Sequence, residues 1–184
     1  MELGKDFLAR GQLADALSHY HAAVEGDPNN YLTYFKRGTV FLALGKARFA
    51  LSDLTKVLEL RPEFLAARAQ RGSVHLKLGQ YDEAERDLYD VLIQDEQNEE
   101  AHYMYGKIAP AREQWDLVLN IIEQGEYQTA ITLLTQLLEI SPWSSLIRET
   151  RGKCYILAGD QLSAVSDFRS VNRLTQDSTD GYFK

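Results

Sequence analysis

The chain has 184 residues, 45% hydrophobic, 26% charged and 10% aromatic, enough for one compact domain or two small ones with a real core. Twenty Lys and Arg against 27 Asp and Glu leave a formal charge of −7, a poor match to nucleic acid or an anionic membrane, both of which call for clustered cations. No apolar stretch approaches the roughly 20 residues that span a bilayer, Met1-Glu2-Leu3-Gly4-Lys5 has no apolar signal core, and a lone Cys154 excludes an intrachain disulfide framework.

In chain order, apolar residues at three- and four-residue spacing predict helices at 2–10 and 13–25, 31–44 and 47–60, 65–78 and 81–94, 111–124 and 127–140, and 145–158 and 161–174. The helices fall in pairs, and the pairs repeat. Gly-Gln-Leu-Ala-Asp-Ala at Gly11 returns as Gly-Lys-Ala-Arg-Phe-Ala at Gly45 and Gly-Gln-Tyr-Asp-Glu-Ala at Gly79, a period of 34. Gly125 follows 46 residues later, and Gly159 another 34 on. Ala16, Ala50, Ala84, Ala130 and Ala164 share one column, and Gly4, Gly38, Gly72, Val118 and Gly152 share another.

These columns have physical reasons. The glycine between paired helices takes positive φ and caps the first of them. Small residues at positions such as Gly38 and Ala50 let two backbones approach closely. Pro28, Pro62 and Pro142 end second helices, since proline cannot donate the helical hydrogen bond. One such pair cannot bury its apolar face alone, so neighbours must stack. The extra 12 residues, Glu99 to Pro110, contain apolar and aromatic side chains and read as a helical element that Asn98 can cap. Pro110 is expected to start a new helix or to kink the chain at Ile108–Ala109.

At these residues the chain resembles the tetratricopeptide repeat family over 1–98 and 111–178. The resemblance implies an all-α fold, a right-handed α-α superhelix of five repeats plus an inserted helical linker. Repeats 1–3 would form a client-binding subdomain over 1–98, a capping or linker helix would occupy 99–110, and repeats 4–5 with the start of a sixth would fill 111–184. Both ends read as cut from a longer protein.

The chemistry-bearing residues give little support to an enzyme. His19 and His21 are two apart on one helix, which points them to different faces, so they do not chelate. His75 stands in a column held elsewhere by Phe7, Phe41, Ile121 and Tyr155, which reads as core. His102 lacks an assignable partner, Cys154 reads as a buried inert thiol, and the acidic run Asp82, Glu83, Glu85 and Asp87 reads as a solvated helix face. No catalytic residue, metal site or cofactor is expected.

The resemblance instead directs attention to the groove lined by the first helix of each repeat. Carried onto this chain, its positions include Leu8 and Lys5, then Leu32, Phe35, Thr39 and Leu42, then Ala66, Ala69, Ser73 and Leu76. Leu8, Leu32, Phe35, Leu42, Ala69 and Leu76 are the expected client contacts, with Trp115 and Leu119 a secondary set. Family members that hold acidic chaperone tails use Lys, Asn and Arg in these columns. Here only Lys5 remains, and Thr39, Ala66, Ala69 and Gln70 supply no further cation to pair with a carboxylate.

Leu3-Gly4-Lys5, the segment Gly11 to Ser18, Gly26-Asp27-Pro28, Thr39 to Ala43 and Asp53 to Val57 are further similar to endoplasmic-reticulum J-domain co-chaperones, a family also described as inhibitors of the interferon-induced, double-stranded-RNA-activated kinase. That likeness implies binding of misfolded or unfolded proteins and their delivery to a lumenal Hsp70 in the unfolded protein response. The His-Pro-Asp loop of a J domain is absent from this chain. The alternative it implies is a scaffold that docks and inhibits a stress-activated kinase of initiation factor 2 alpha.

Overall fold

The computed structural model describes residues 2–179, and the side chains of 10–175. Among the described residues there are nine α-helices and no strand: α1 Glu2–Gly26, α2 Tyr31–Ala43, α3 Ala47–Leu60, α4 Leu65–Lys77, α5 Tyr81–Gln94, α6 Glu99–Glu123, α7 Tyr127–Ile140, α8 Ser145–Leu157 and α9 Gln161–Thr179. Packing groups the residues up to Arg71 in one unit and those from Gly72 in a second. The grouping changes inside α4.

In the first unit α2 packs on α3 through Tyr34, Val40, Phe41, Ala50, Leu54, Val57 and Leu58, all buried. Burying a side chain of the size of Leu54 contributes roughly 1.5–3 kcal/mol. The turn between them is set by Gly45 at φ 74°. Lys46 N–H donates to Phe41 C=O at 2.8 Å and Gly45 N–H to Leu42 C=O at 3.0 Å, satisfying the last carbonyls of α2.

The second unit buries Ala111, Val118, Ala130, Leu134, Leu137, Ile147 and Cys154 in one cluster. At Gly72 an added Cβ would meet Leu88 Cγ at 2.9 Å, so only glycine fits there. Val118 fills the same column in repeat 4 and is fully buried, so that helix pair accommodates the larger residue.

Three boundaries depart from the sequence reading. α1 is one helix through Gly11, where two were expected; glycine permits a turn but does not impose one, and exposed Arg10, Gly11 and Gln12 offer no packing to hold it. α6 likewise runs unbroken through Pro110, joining the expected linker to the first helix of repeat 4. Its buried residues Ala101, Met104, Ile108, Ala111 and Val118 form one stripe at three-, four- and seven-residue spacing, whereas Pro110 is exposed. Burial of that stripe outweighs the missing hydrogen bond. α9 extends past its expected end at 174 to Thr179.

Candidate functional site

The residue that precedes the first helix of each repeat normally caps it. Asn30 accepts from Leu32 N–H at 3.2 Å, Asn98 from Ala101 N–H at 2.9 Å and Ser144 from Ile147 N–H at 3.2 Å. Residue 64 stands 34 after Asn30 and 34 before Asn98, and it is Phe64. A phenyl ring has no acceptor, and loss of such a cap costs about 0.5–2 kcal/mol. The ring packs edge-on against Phe35, centroids 5.1 Å apart, and against Tyr31 at 5.5 Å. The Arg61 guanidinium lies 4.8 Å over the Tyr31 ring. Leu32, one residue from Tyr31 and 43% exposed, adds an aliphatic side chain at the start of α2.

The expected contacts therefore differ in availability. Leu32 is exposed, while Phe35, Leu42 and Ala69 are half-buried. The side chain of Leu8 lies outside the described residues. Leu76 is corrected: at 6% exposure it is packed rather than open. The Ser141 hydroxyl donates to its carbonyl at 2.7 Å, and Trp143 N–H donates to Lys77 C=O at 2.9 Å, so the loop after α7 lies against the end of α4. In the secondary set Trp115 is packed against the core of the second unit and Leu119 is 43% exposed. Sequence reasoning missed Phe64, although reading Asn30, Phe64, Asn98 and Ser144 as one column exposes it.

Three of the four histidines make scaffold contacts. His21 Nδ1 accepts from Arg37 Nη1 at 3.2 Å, His75 Nδ1 lies 2.6 Å from Gln80 Oε1, and His102 Nε2 donates to Glu96 C=O at 2.8 Å. His102 is in the column of Arg68 and Arg148, which bond the Pro62 and Pro142 carbonyls in the same i−6 pattern. Cys154 is 1% exposed, and desolvation pushes its thiol up, away from a reactive thiolate. Among the described residues no group of three His, Cys, Asp or Glu is placed to hold a metal ion, and no helix is long and apolar enough to cross a membrane.

Paired helices on a 34-residue period, joined by glycine-capped turns, define a helical protein-binding repeat class. Two tetratricopeptide-repeat profiles match, one over 35–101 and one over 4–45, and the chain belongs to the tetratricopeptide-repeat family, with its α-α superhelix fold. Within it, the chain is similar along its whole length to DnaJ homolog subfamily C member 3 of Rattus norvegicus and of Homo sapiens, 44% identical to each. It spans 37% of the length of those relatives. The solved TPR domain of P58(IPK) is also 44% identical, superposing with a TM-score of 0.80 over 99% of this chain and 52% of that one. The first TPR of Spaghetti (RPAP3), solved bound to the HSP90 peptide SRMEEVD, is 27% identical with a TM-score of 0.53, covering 61% of this chain and 89% of that one.

Proposed function

We propose that this chain is the client-binding portion of a co-chaperone: it holds exposed hydrophobic segments of misfolded or unfolded proteins for delivery to a lumenal Hsp70. The J domain that engages the Hsp70 would lie elsewhere in the protein, and the site of action would be the endoplasmic reticulum lumen. The observation that carries the reading is Phe64, an aromatic ring in place of a helix cap, packed edge-on against Phe35 and Tyr31 beside exposed Leu32. Apolar surface of this kind gains about 25 cal/mol per Å² on burial, less the ordering of the bound segment. A carboxylate clamp is disfavoured. The Thr39 hydroxyl is bonded to Phe35 C=O at 3.0 Å, and Ala66 and Ala69 offer no donor side chain.

The test is suppression of aggregation of several unrelated denatured proteins. The parent chain suppresses it at both low and high salt, and Phe35→Glu, Leu42→Glu and Phe64→Asn each weaken it. Phe64→Asn is the informative variant because it restores the cap that the column otherwise carries, so its melting temperature stays near the parent's while holding activity falls. Unchanged suppression by all three variants rejects the aromatic cluster. Absence of suppression by the parent, together with salt-sensitive docking of a folded kinase, would favour the inhibitory scaffold. That rival would use the acidic face of α5, where Arg112 already bonds Asp82 at 2.6 Å and also Glu85.

A further inference from the structure

The second helices of the repeats present a row of their own, distinct from the groove positions of the first helices. Two places in that row, four residues apart, hold His21 and Glu25, Thr55 and Glu59, Thr135 and Glu139, and Arg169 and Arg173 in repeats 1, 2, 4 and 5. In repeat 3 they hold Tyr89 and Ile93, 53% and 60% exposed. His21, Thr55 and Thr135 each accept from the arginine 16 residues on, which is Arg37, Arg71 or Arg151. The residue 16 after Tyr89 is Tyr105, and its ring packs on that of Tyr89, centroids 6.5 Å apart. A polar row thus becomes an apolar strip of Tyr89, Ile93 and Tyr105 where α5 packs on α6. Scattered exposed apolar residues are ordinary, whereas a contiguous strip that departs from its own repeat marks a contact surface.

We propose that this strip docks an amphipathic helix whose polar face is basic. Apolar side chains one turn apart on such a helix meet residues spaced by four along α5. The sign of the partner follows from what borders the strip. Asp95, Glu96, Glu99 and Glu100 come directly after it, all exposed, and among the described residues none of the four is in an ion pair. Glu99 and Glu100 sit in the first turn of α6, where N–H groups favour a carboxylate without removing its charge. Towards the start of α5, Arg112 is committed to Asp82 and Glu85. α5 itself holds one cation, Arg86, among Asp82, Glu83, Glu85, Asp87 and Asp90. A second copy of this chain would set the same carboxylates against these, so it is the poorer occupant.

The inference is independent of client holding and is tested without it. A fluorescent peptide of leucine and lysine at helical spacing, blocked at both ends, is titrated into the whole chain. It binds, and raising salt from low to physiological strength weakens it, because exposed charges are screened. Tyr89→Thr/Ile93→Gln, which makes the strip polar and leaves the charge unchanged, loses about tenfold or more in affinity. Asp95→Asn/Glu96→Gln binds more weakly and with a shallower salt dependence. All four side chains are exposed, and near-parental melting curves show that both variants fold. Phe64→Asn keeps the parental affinity, which separates this surface from the client cluster; a loss there assigns the peptide to that cluster and overturns the inference. Undiminished binding by Tyr89→Thr/Ile93→Gln overturns it too, as does equal binding of a leucine–glutamate peptide or of a scrambled leucine–lysine peptide. So does self-association of the parent chain that the same double variant abolishes, because the strip would then belong to a second copy.

Discussion

One arginine in repeats 2 and 5 ties its own helix pair together and reaches back to the previous one. Arg37 makes a two-point ion pair with Asp53, at 2.9 and 2.7 Å, and also donates to His21, 16 residues earlier. Arg151 pairs likewise with Asp167, at 2.8 and 2.6 Å, and donates to the Thr135 hydroxyl at 3.2 Å. The hydrogen-bonded carboxylates hold both guanidinium groups above their ordinary range. In repeat 4 the same two columns are Leu117 and Leu133. The pair is therefore replaceable as a pair but not singly. Asp167→Leu strands a mostly buried guanidinium and is expected to cost about 2–4 kcal/mol in urea unfolding. Adding Arg151→Leu should recover part of that loss; a double variant less stable than the single one would refute the argument. His21 gives a pH dependence. Burial, and next the Arg37 charge, lower its proton affinity, against weaker raising effects of Asp53 and Glu25, while Phe41 packs on its ring. The unfolded chain then binds more protons, so His21 contributes stability that is present above about pH 6.5 and lost as pH falls through its lowered folded value. His21→Thr, the residue of the same column at 55 and 135, keeps an acceptor for Arg37. It should flatten the stability profile between neutral and mildly acid pH.

Among the elements, α6 shows how burial overrides local preference. The 12 extra residues do not interrupt the repeat so much as restart it: Asn98, His102 and Gly106 follow Phe64, Arg68 and Gly72 by 34 residues each. The segment begins as the first helix of a repeat packed on α5, and its continuation serves as the first helix of repeat 4, packed on α7. Pro110 sits on the exposed side of this shared helix. A proline in a helix interior costs up to about 3 kcal/mol, through a missing N–H and a clash with the preceding turn. Pro110→Ala should accordingly stabilise the chain by about 1–3 kcal/mol in thermal or urea unfolding. A destabilised variant would mean that the ring itself packs usefully. The helix pairs were legible in the sequence because their period is local. The fusion at Pro110 was not, because proline alone reads as a boundary and the stripe from Ala101 to Val118 becomes decisive only once α5 and α7 lie against it.

For the molecule as a whole, the amino-acid order alone determined the 34-residue period, the pairing of helices and the columns of small residues, since each follows from spacing along the chain. Which apolar faces stay open was decided only in three dimensions. Leu32 and Leu76 hold comparable groove positions in sequence, yet the first is 43% exposed and the second 6%. Leu76 lies beside Met104 of α6 and Ile140 of α7, and the Ser141 hydroxyl, 65 residues on, bonds its carbonyl. Phe64 likewise looks like an ordinary loop residue until its ring is found between Tyr31 and Phe35. Periodicity records what neighbouring residues must bury together, whereas exposure depends on which distant segment arrives to cover them, and that is settled by packing.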